Sequence, residues 1–450
     1  MNEKIFSKYT AIGFMLFALF FGAGNLIFPA QLGQDAGSNL WTAIAGFLIT
    51  GVGLPLLGIL AMGYSGSRNL QELASRVNPT YAIFFTSLLY LTIGPFFALP
   101  RTGTVAYEVG IAPFVSEGFQ EGGLLIFTVL FFAATLWFSL KPTKLVDNIG
   151  KILAPAIVVL LAILLLTVIA FPMGAIQAPV KEYANGAFVK GFLDGYNTMD
   201  ALASLVFGII VIKAIHALGI TSKREVLRAT AKSGFIAITL LGAIYIGIAY
   251  MGATSTEIFG ITNNGGAVLS NTASHYFSEI GLVLLAVLII LACLTTAIGL
   301  TIACAEYFQT LIPRVSYKIL VFFFVAITLI FANFGLTNII TFSIPVLMFL
   351  YPLAIVLIVL VFLSPLFQHR RAVYVLTIAV TFVISIFDGF IALCKSLEID
   401  YFGWMKPIVA FFEKALPLYD NGLGWLLPAI VVIAVMTVIV RLGGMALEKA

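Results

Sequence analysis

About twelve runs of some twenty apolar residues follow one another along the chain. They lie near 10–32, 41–63, 81–107, 123–140, 149–171, 193–215, 229–252, 280–309, 317–333, 337–363, 372–393 and 424–441. A helix of about 20 residues is long enough to cross the hydrocarbon of a bilayer. With no water there, backbone groups must pair within the segment, so helices are expected rather than open strands. Only 10% of the 450 residues are charged, against roughly 25% in soluble domains. The chain therefore reads as an all-α polytopic membrane protein with about 12 transmembrane helices. Its first run is too long for a signal-peptide core and lacks a small-residue cleavage site, so it is expected to be retained as the first span.

Orientation follows from Lys and Arg, which favour the cytoplasmic side. With the N-terminus inside, 18 of these residues fall on inward connections and ends, and 5 outside (Lys181, Lys190, Lys395, Lys406 and Lys414). Arg101 falls within a helix. The bias supports an even number of spans and cytoplasmic termini. The longest connections, 172–192, 253–279 and 394–423, then lie outside, and none is long enough for a globular domain. The segment 262–281, weakly apolar and rich in small residues, reads either as a hairpin dipping into the mouth or as a surface loop. Three cysteines and three histidines, scattered and without metal-ligand spacing, argue against a disulfide framework, a haem or a thiolate metal centre. No cofactor is expected. The net charge of +4 gives no sign of nucleic acid as a partner.

Within the first run stands L-F-F-G-A-G-N-L-I-F-P, residues 19–29. Glycine loosens a helix by roughly 1 kcal/mol relative to alanine, and proline removes an intrahelical donor. Broken backbone at membrane depth is tolerated where protein or a water-filled cavity satisfies the freed groups. A discontinuous helix with peptide groups turned to a ligand is one reading; close packing of another helix on the glycines is the other. The sixth run has a second weak point, Gly195-Tyr196-Asn197-Thr198-Met199-Asp200. An intramembrane Asp is a functional-site signal, although Asp200 also suits the first turn of a helix that starts there. Breaks in spans one and six fit two copies of a five-span unit, the second inverted, which places a binding site between them. The expected units are 1–171, 172–364 and, for the last two spans, 365–450.

Two further segments carry polar groups. Span eight contains Thr295 and Thr296, whose hydroxyls either offer oxygens to a small cation or bond back to the preceding turn. Span three contains Pro95 and Pro100, expected to kink it, and Arg101, expected to face a partner, a cavity or the vestibule. Phe96 and Phe97 either wall a pocket or pack.

The strings at 19–29, P-F-F-A-L-P-R-T-G at 95–103 and Y-N-T-M-D-A-L-A at 196–203, with the length and span number, resemble bacterial branched-chain amino acid:cation symporters of the BrnQ type. More distantly the chain is similar to sodium-coupled amino acid transporters of the LeuT-like fold, which implies a 5+5 inverted repeat plus two C-terminal helices in a bacterial inner membrane. Gly22-Ala23-Gly24-Asn25 matches the G-x-G-N of that fold's first helix, and Ala292-Cys293-Leu294-Thr295-Thr296 the A-x-L-T-S of its eighth. The similarity implies a sodium site formed by the carbonyls of Ala18, Phe21 and Ala292 and the hydroxyls of Thr295 and Thr296. The family's third-helix Tyr has no clear counterpart here.

The expected activity is import of leucine, isoleucine and valine driven by Na⁺ or H⁺, the alternative being another amino acid or small organic solute on the same fold. Amides at Gly22, Ala23, Gly24 and Asn25 would meet the substrate carboxylate. Carbonyls at Tyr196, Asn197, Thr198 and Met199, helped by Asp200, would meet the ammonium. Phe21, Phe97, Phe207 and Ile298 would wall the aliphatic pocket. An intramembrane transferase lacks a catalytic constellation, and a channel lacks a repeated filter ring.

Overall fold

The computed structural model describes residues 3–140, 154–180 and 182–443. Lys141, Lys144, Lys151, Lys181 and Lys449, which entered the orientation count, lie outside the described residues. Eight described helical stretches are long and apolar enough to cross a membrane, and four shorter apolar helices accompany them. Many large apolar side chains face outward, Leu130 at 65%, Trp137 at 69% and Leu166 at 64% exposure among them. Such a belt calls for a lipid solvent.

Span one is enclosed where it breaks: Leu16, Phe17, Ala18, Leu19, Phe20 and Phe21 are all buried. It consists of Glu3–Phe20 and Ala23–Ala36. The interruption is narrower than the composition of 19–29 suggests. Phe21 still bonds back to the Phe17 carbonyl at 2.7 Å. Gly22 is extended (φ −132°, ψ −159°), and the helix restarts at Ala23. Gly24, Asn25 and Pro29 lie inside the second half-helix. That half packs closely on span seven, Lys223–Phe259. A Cβ on Gly33 would stand 2.8 Å from the carbonyl carbon of Ala249 and 2.9 Å from the amide of Ala253. Only a residue without a side chain permits that approach.

Span six begins earlier than 193. A half-helix, Tyr183–Asp194, occupies part of what the sequence suggests is the 172–192 connection. Its charges hide it from an apolar count, yet they pair locally: Lys190 Nζ lies 2.7 Å from Asp194 Oδ1 and 3.7 Å from Glu182 Oε2. A 3₁₀ turn, Gly195–Thr198, and a left-handed Met199 (φ 63°) separate it from the second half, Asp200–Ala217. Asp200 opens a helix and also lies inside an interrupted span.

Span two carries a π turn, Ile49–Gly53, between Leu40–Leu48 and Leu54–Ser65. Thr50 Oγ1 reaches from it to the Phe192 carbonyl at 2.7 Å, bracing the span-six break. Span three comprises Pro79–Leu91, a π turn Thr92–Phe96 and Ala98–Gly110. Only one of its prolines marks a break. Pro95 adjoins the non-helical Gly94, whereas Pro100 sits in the first turn of the following helix, where a missing N–H is tolerated. The 262–281 segment is not a plain loop but a helix that turns back sharply, as in the hairpin alternative. Asn264 caps a helix from Gly265, its Oδ1 accepting from the Gly266 amide at 2.9 Å. The helix ends at Ser278 (φ 52°), where the chain turns so that a Cβ on Gly281 would stand 3.1 Å from the carbonyl carbon of Ala273, and span eight runs from there to Leu311.

Candidate functional site

The two breaks meet. Asn25 of span one donates from Nδ2 to Asp200 Oδ2 of span six at 2.6 Å. Tyr245 of span seven donates its hydroxyl to the same oxygen at 2.7 Å, and Asn25 also contacts that hydroxyl. All three residues are buried. A buried carboxylate is costly unless hydrogen bonds replace its water. Here two donors and the N-terminus of its own helix do so. Asn25 serves the other side of the break as well, since its Oδ1 accepts from the Gly22 amide at 2.9 Å. Of the four amides expected to face an anion, Gly22 is therefore already tied. Ala23, Gly24 and Asn25 open a helix, whose first N–H groups have no acceptor within it.

Arg101 enters the same place from span three, 3% exposed. Its Nη1 donates to the Asn197 carbonyl at 2.7 Å and its Nη2 to that of Thr198 at 3.4 Å. The guanidinium carbon lies 5.1 Å from the centre of the Phe28 ring, within range of a cation–π contact. Of the three destinations open to Arg101 from sequence, it takes the cavity and binds its far wall. The Asn197 and Thr198 carbonyls, expected to meet an ammonium, thus already accept from a cation of the protein itself.

Gly22, Ala23, Gly24, Asn25, Thr198, Met199, Asp200, Phe207 and Thr296 line the cavity enclosed by these spans. Its volume is about 30 Å³, room for one or two waters. Phe20, Ala203 and Leu300 complete an apolar side with Phe207. Other expected pocket residues stand back. Phe21 stacks on Phe17 with ring centres 5.0 Å apart, Tyr196 stacks on Tyr351 at 4.0 Å, and Asn197 contributes only its carbonyl to Arg101. Phe97 and Ile298 lie outside the lining, where Ala98 and Leu300 take their places. Which face a residue presents depends on where each helix restarts. Sequence reasoning missed Tyr245, which carries no local mark, and gave Arg101 no role.

Of the five residues named for a cation, Thr296 meets Phe21 across the spans, whereas Thr295 takes the other course open to it and bonds back to the preceding turn. Thr296 Oγ1 reaches across to the Phe21 carbonyl at 3.3 Å. Thr295 Oγ1 bonds back to Ala292 O at 2.8 Å. The Ala18 carbonyl would bond the amide of residue 22 in an unbroken helix, but that amide turns to Asn25. The break therefore frees a backbone oxygen at Ala18. Neutral oxygens of this kind suit a hard monovalent or divalent cation.

The model of a family described as branched-chain amino acid transport protein matches residues 6–442. Among curated relatives, the branched-chain amino acid permease BrnQ of Bacillus subtilis (strain 168) is 47% identical over 431 residues, 96% of each chain. The branched-chain amino acid transport system 2 carrier protein of Pseudomonas aeruginosa is 43% identical over 434 residues, 96% of each chain. The BrnQ permease of Escherichia coli (strain K12) is 38% identical over the same share. Among solved structures, MhsT in complex with L-phenylalanine superposes with a TM-score of 0.57 at 16% identity, covering 95% of this chain and 98% of that one. Mhp1, a nucleobase-cation-symport-1 family transporter, does so at 0.57 and 14%, covering 95% and 92%. These likenesses establish the fold, that of the LeuT-like transporters.

Proposed function

The chain belongs to the branched-chain amino acid transport protein family, and from that premise we propose that it imports leucine, isoleucine and valine by symport with Na⁺ or H⁺. It is a multi-pass membrane transporter and not an enzyme. The observation that carries the finer reading is the convergence of a buried carboxylate, free amides and an apolar wall where two interrupted helices meet. A zwitterion needs opposite charges at its two ends. Asp200 serves the ammonium, in place of the span-six carbonyls that Arg101 holds. The opening amides of Ala23–Ala36 serve the carboxylate. Phe20, Ala203, Phe207 and Leu300 receive the aliphatic chain, at roughly 0.8 kcal/mol per buried methylene. That gradient selects branched aliphatics over glycine or alanine and separates the three from one another only weakly.

The cavity of about 30 Å³ is too small for a leucine, so substrate enters when the surrounding spans part. Rocking of spans one, two, six and seven against the remainder provides such a motion, with the units 1–171 and 172–364 as its repeats and both termini cytoplasmic in a bacterial inner membrane. The cation binds among Ala18, Phe21, Ala292, Thr295 and Thr296. There it fixes the backbone that also meets the substrate, and each ligand favours the other by a coupling of about 1–3 kcal/mol.

Purified protein in proteoliposomes, given radiolabelled leucine under imposed Na⁺ or pH gradients, tests this reading. Accumulation above equilibrium under one of the gradients is the expected result; equilibration alone, or accumulation of a different solute, refutes it. Thr296→Ala removes a hydroxyl from the cation set without adding bulk. Sodium stimulation of uptake is expected to fall about tenfold, within the range of a lost hydrogen bond to a charge. Unchanged stimulation in that variant removes Thr296 from the site.

A further inference from the structure

We propose that Arg101 is the ionic partner of the substrate's carboxylate and gives the carrier its preference for amino acids over their uncharged analogues; the assignment rests on the amino acid reading above. A guanidinium has five N–H donors. Arg101 uses two, on the Asn197 and Thr198 carbonyls, the second at the long distance of 3.4 Å. Its buried Nε has no partner. At membrane depth an unpaired donor is costly, and its retention points to a ligand.

The placement says which ligand. Arg101 lines the same cavity as the span-one break. Its Nη2 lies beside Gly24, 2.8 Å from where a Cβ would stand. The guanidinium is therefore next to the amides that open the half-helix Ala23–Ala36. Amides and guanidinium together form an anion site with a full charge, which the amides alone do not supply. Asp200 borders the same cavity, and its Oδ2 is held by Asn25 and Tyr245. No hydrogen bond joins Asp200 to Arg101 among the described residues. A cation and an anion that border one cavity without bonding to each other match the two ends of a zwitterion. The planar fork of arginine suits a carboxylate, which accepts two parallel bonds. Arg101 also ties span three to the span-six break, so a carboxylate held by it would join spans one, three and six.

The test compares leucine with leucinamide, which keeps the side chain and ammonium but has no carboxylate charge. Both compete with radiolabelled leucine on purified protein near pH 6, where the α-amine is charged in each. In the native protein leucinamide is expected to compete about 100-fold more weakly than leucine. In Arg101→Gln, leucine affinity is expected to fall about 10- to 100-fold, the worth of a charge-assisted hydrogen bond. Leucinamide affinity should change less than threefold, so the ratio collapses. Equal loss of both ligands would make Arg101 a packing residue. Unchanged or tighter leucine binding would show that Arg101 only competes for the span-six carbonyls. Either result overturns the proposal. If Arg101→Gln does not yield a monodisperse protein, Arg101→Met decides, because it keeps an unbranched apolar stem in the buried site and loses the charge. The leucine-to-leucinamide ratio must then fall at least fivefold, and an unchanged ratio refutes the assignment. If the native protein binds another amino acid instead of leucine, the branched-chain reading fails by itself, and the same ratio is measured with that amino acid and its amide.

Discussion

Replacing Asp200 by Asn is expected to lower leucine uptake by about 30-fold at the least, with little change in thermal stability. The substitution keeps the side chain's shape and an oxygen able to accept from Asn25 Nδ2 and from the Tyr245 hydroxyl, which now lie 2.6 and 2.7 Å from Oδ2. What it removes is the negative charge proposed to face the substrate's ammonium. Truncating one member of a buried charge pair costs about 2–5 kcal/mol, which corresponds to roughly 30-fold to several thousand-fold. Asp200→Ala separates the two roles. It loses the charge and also leaves the Asn25 and Tyr245 donors without their acceptor, at about 1–3 kcal/mol for each unsatisfied group. It is therefore expected to lower the unfolding temperature, which Asp200→Asn is not. Initial rates in proteoliposomes and thermal unfolding of the purified variants report the two effects. Native rates in Asp200→Asn would place the ammonium elsewhere.

Asp200 was open to inspection in the sequence for the reason that makes it important. A carboxylate within an apolar run violates the local rule, and such violations gather at functional positions. The same holds for the glycines at 22 and 24 and for Arg101. The spans were legible because lipid selects long apolar runs. Tyr183–Asp194 was not, because it carries Lys190 and Asp194 and neutralises them within itself. Tyr245 was invisible for a different reason. It lies 45 residues from the carboxylate it serves, and Tyr250 in the same helix looks equivalent in one dimension. The misplacement of Phe97, which stands just before the helix restarts at Ala98, is a matter of phase. Each residue turns a helix by about 100°. A half-helix that restarts one position away from the expected place turns its wall residues out of the pocket. Phe21 instead precedes the break, still bonded to the Phe17 carbonyl, and its ring stacks on that of Phe17.

Gly22→Ala is expected to reduce both leucine uptake and its cation stimulation, and Gly22→Val to bring uptake to background. The backbone at Gly22 is extended, a conformation open to any residue, so the constraint is one of space. A Cβ there would stand 2.9 Å from Thr296 Oγ1, 3.1 Å from its Cγ2 and 3.3 Å from its Cβ. Threonine is stiff at χ1 and Thr296 is held by helix backbone in span eight. It cannot swing aside as a long side chain could, so the added methyl must push spans one and eight apart. Overpacking of this kind costs about 1–3 kcal/mol, or roughly 5- to 150-fold in an equilibrium. The parting falls at the contact between Thr296 and the Phe21 carbonyl, where the cation is proposed to bind. Gly24→Ala provides the contrast. Its Cβ would meet Arg101 Nη2 at 2.8 Å, the far end of a flexible side chain, so the guanidinium moves while the contact of spans one and eight remains. Cation stimulation should therefore suffer in Gly22→Ala and persist in Gly24→Ala, with leucine affinity weakened in both. Uptake measured against sodium concentration in the two variants distinguishes them. Equal sodium dependence in both would separate the cation from the break in span one.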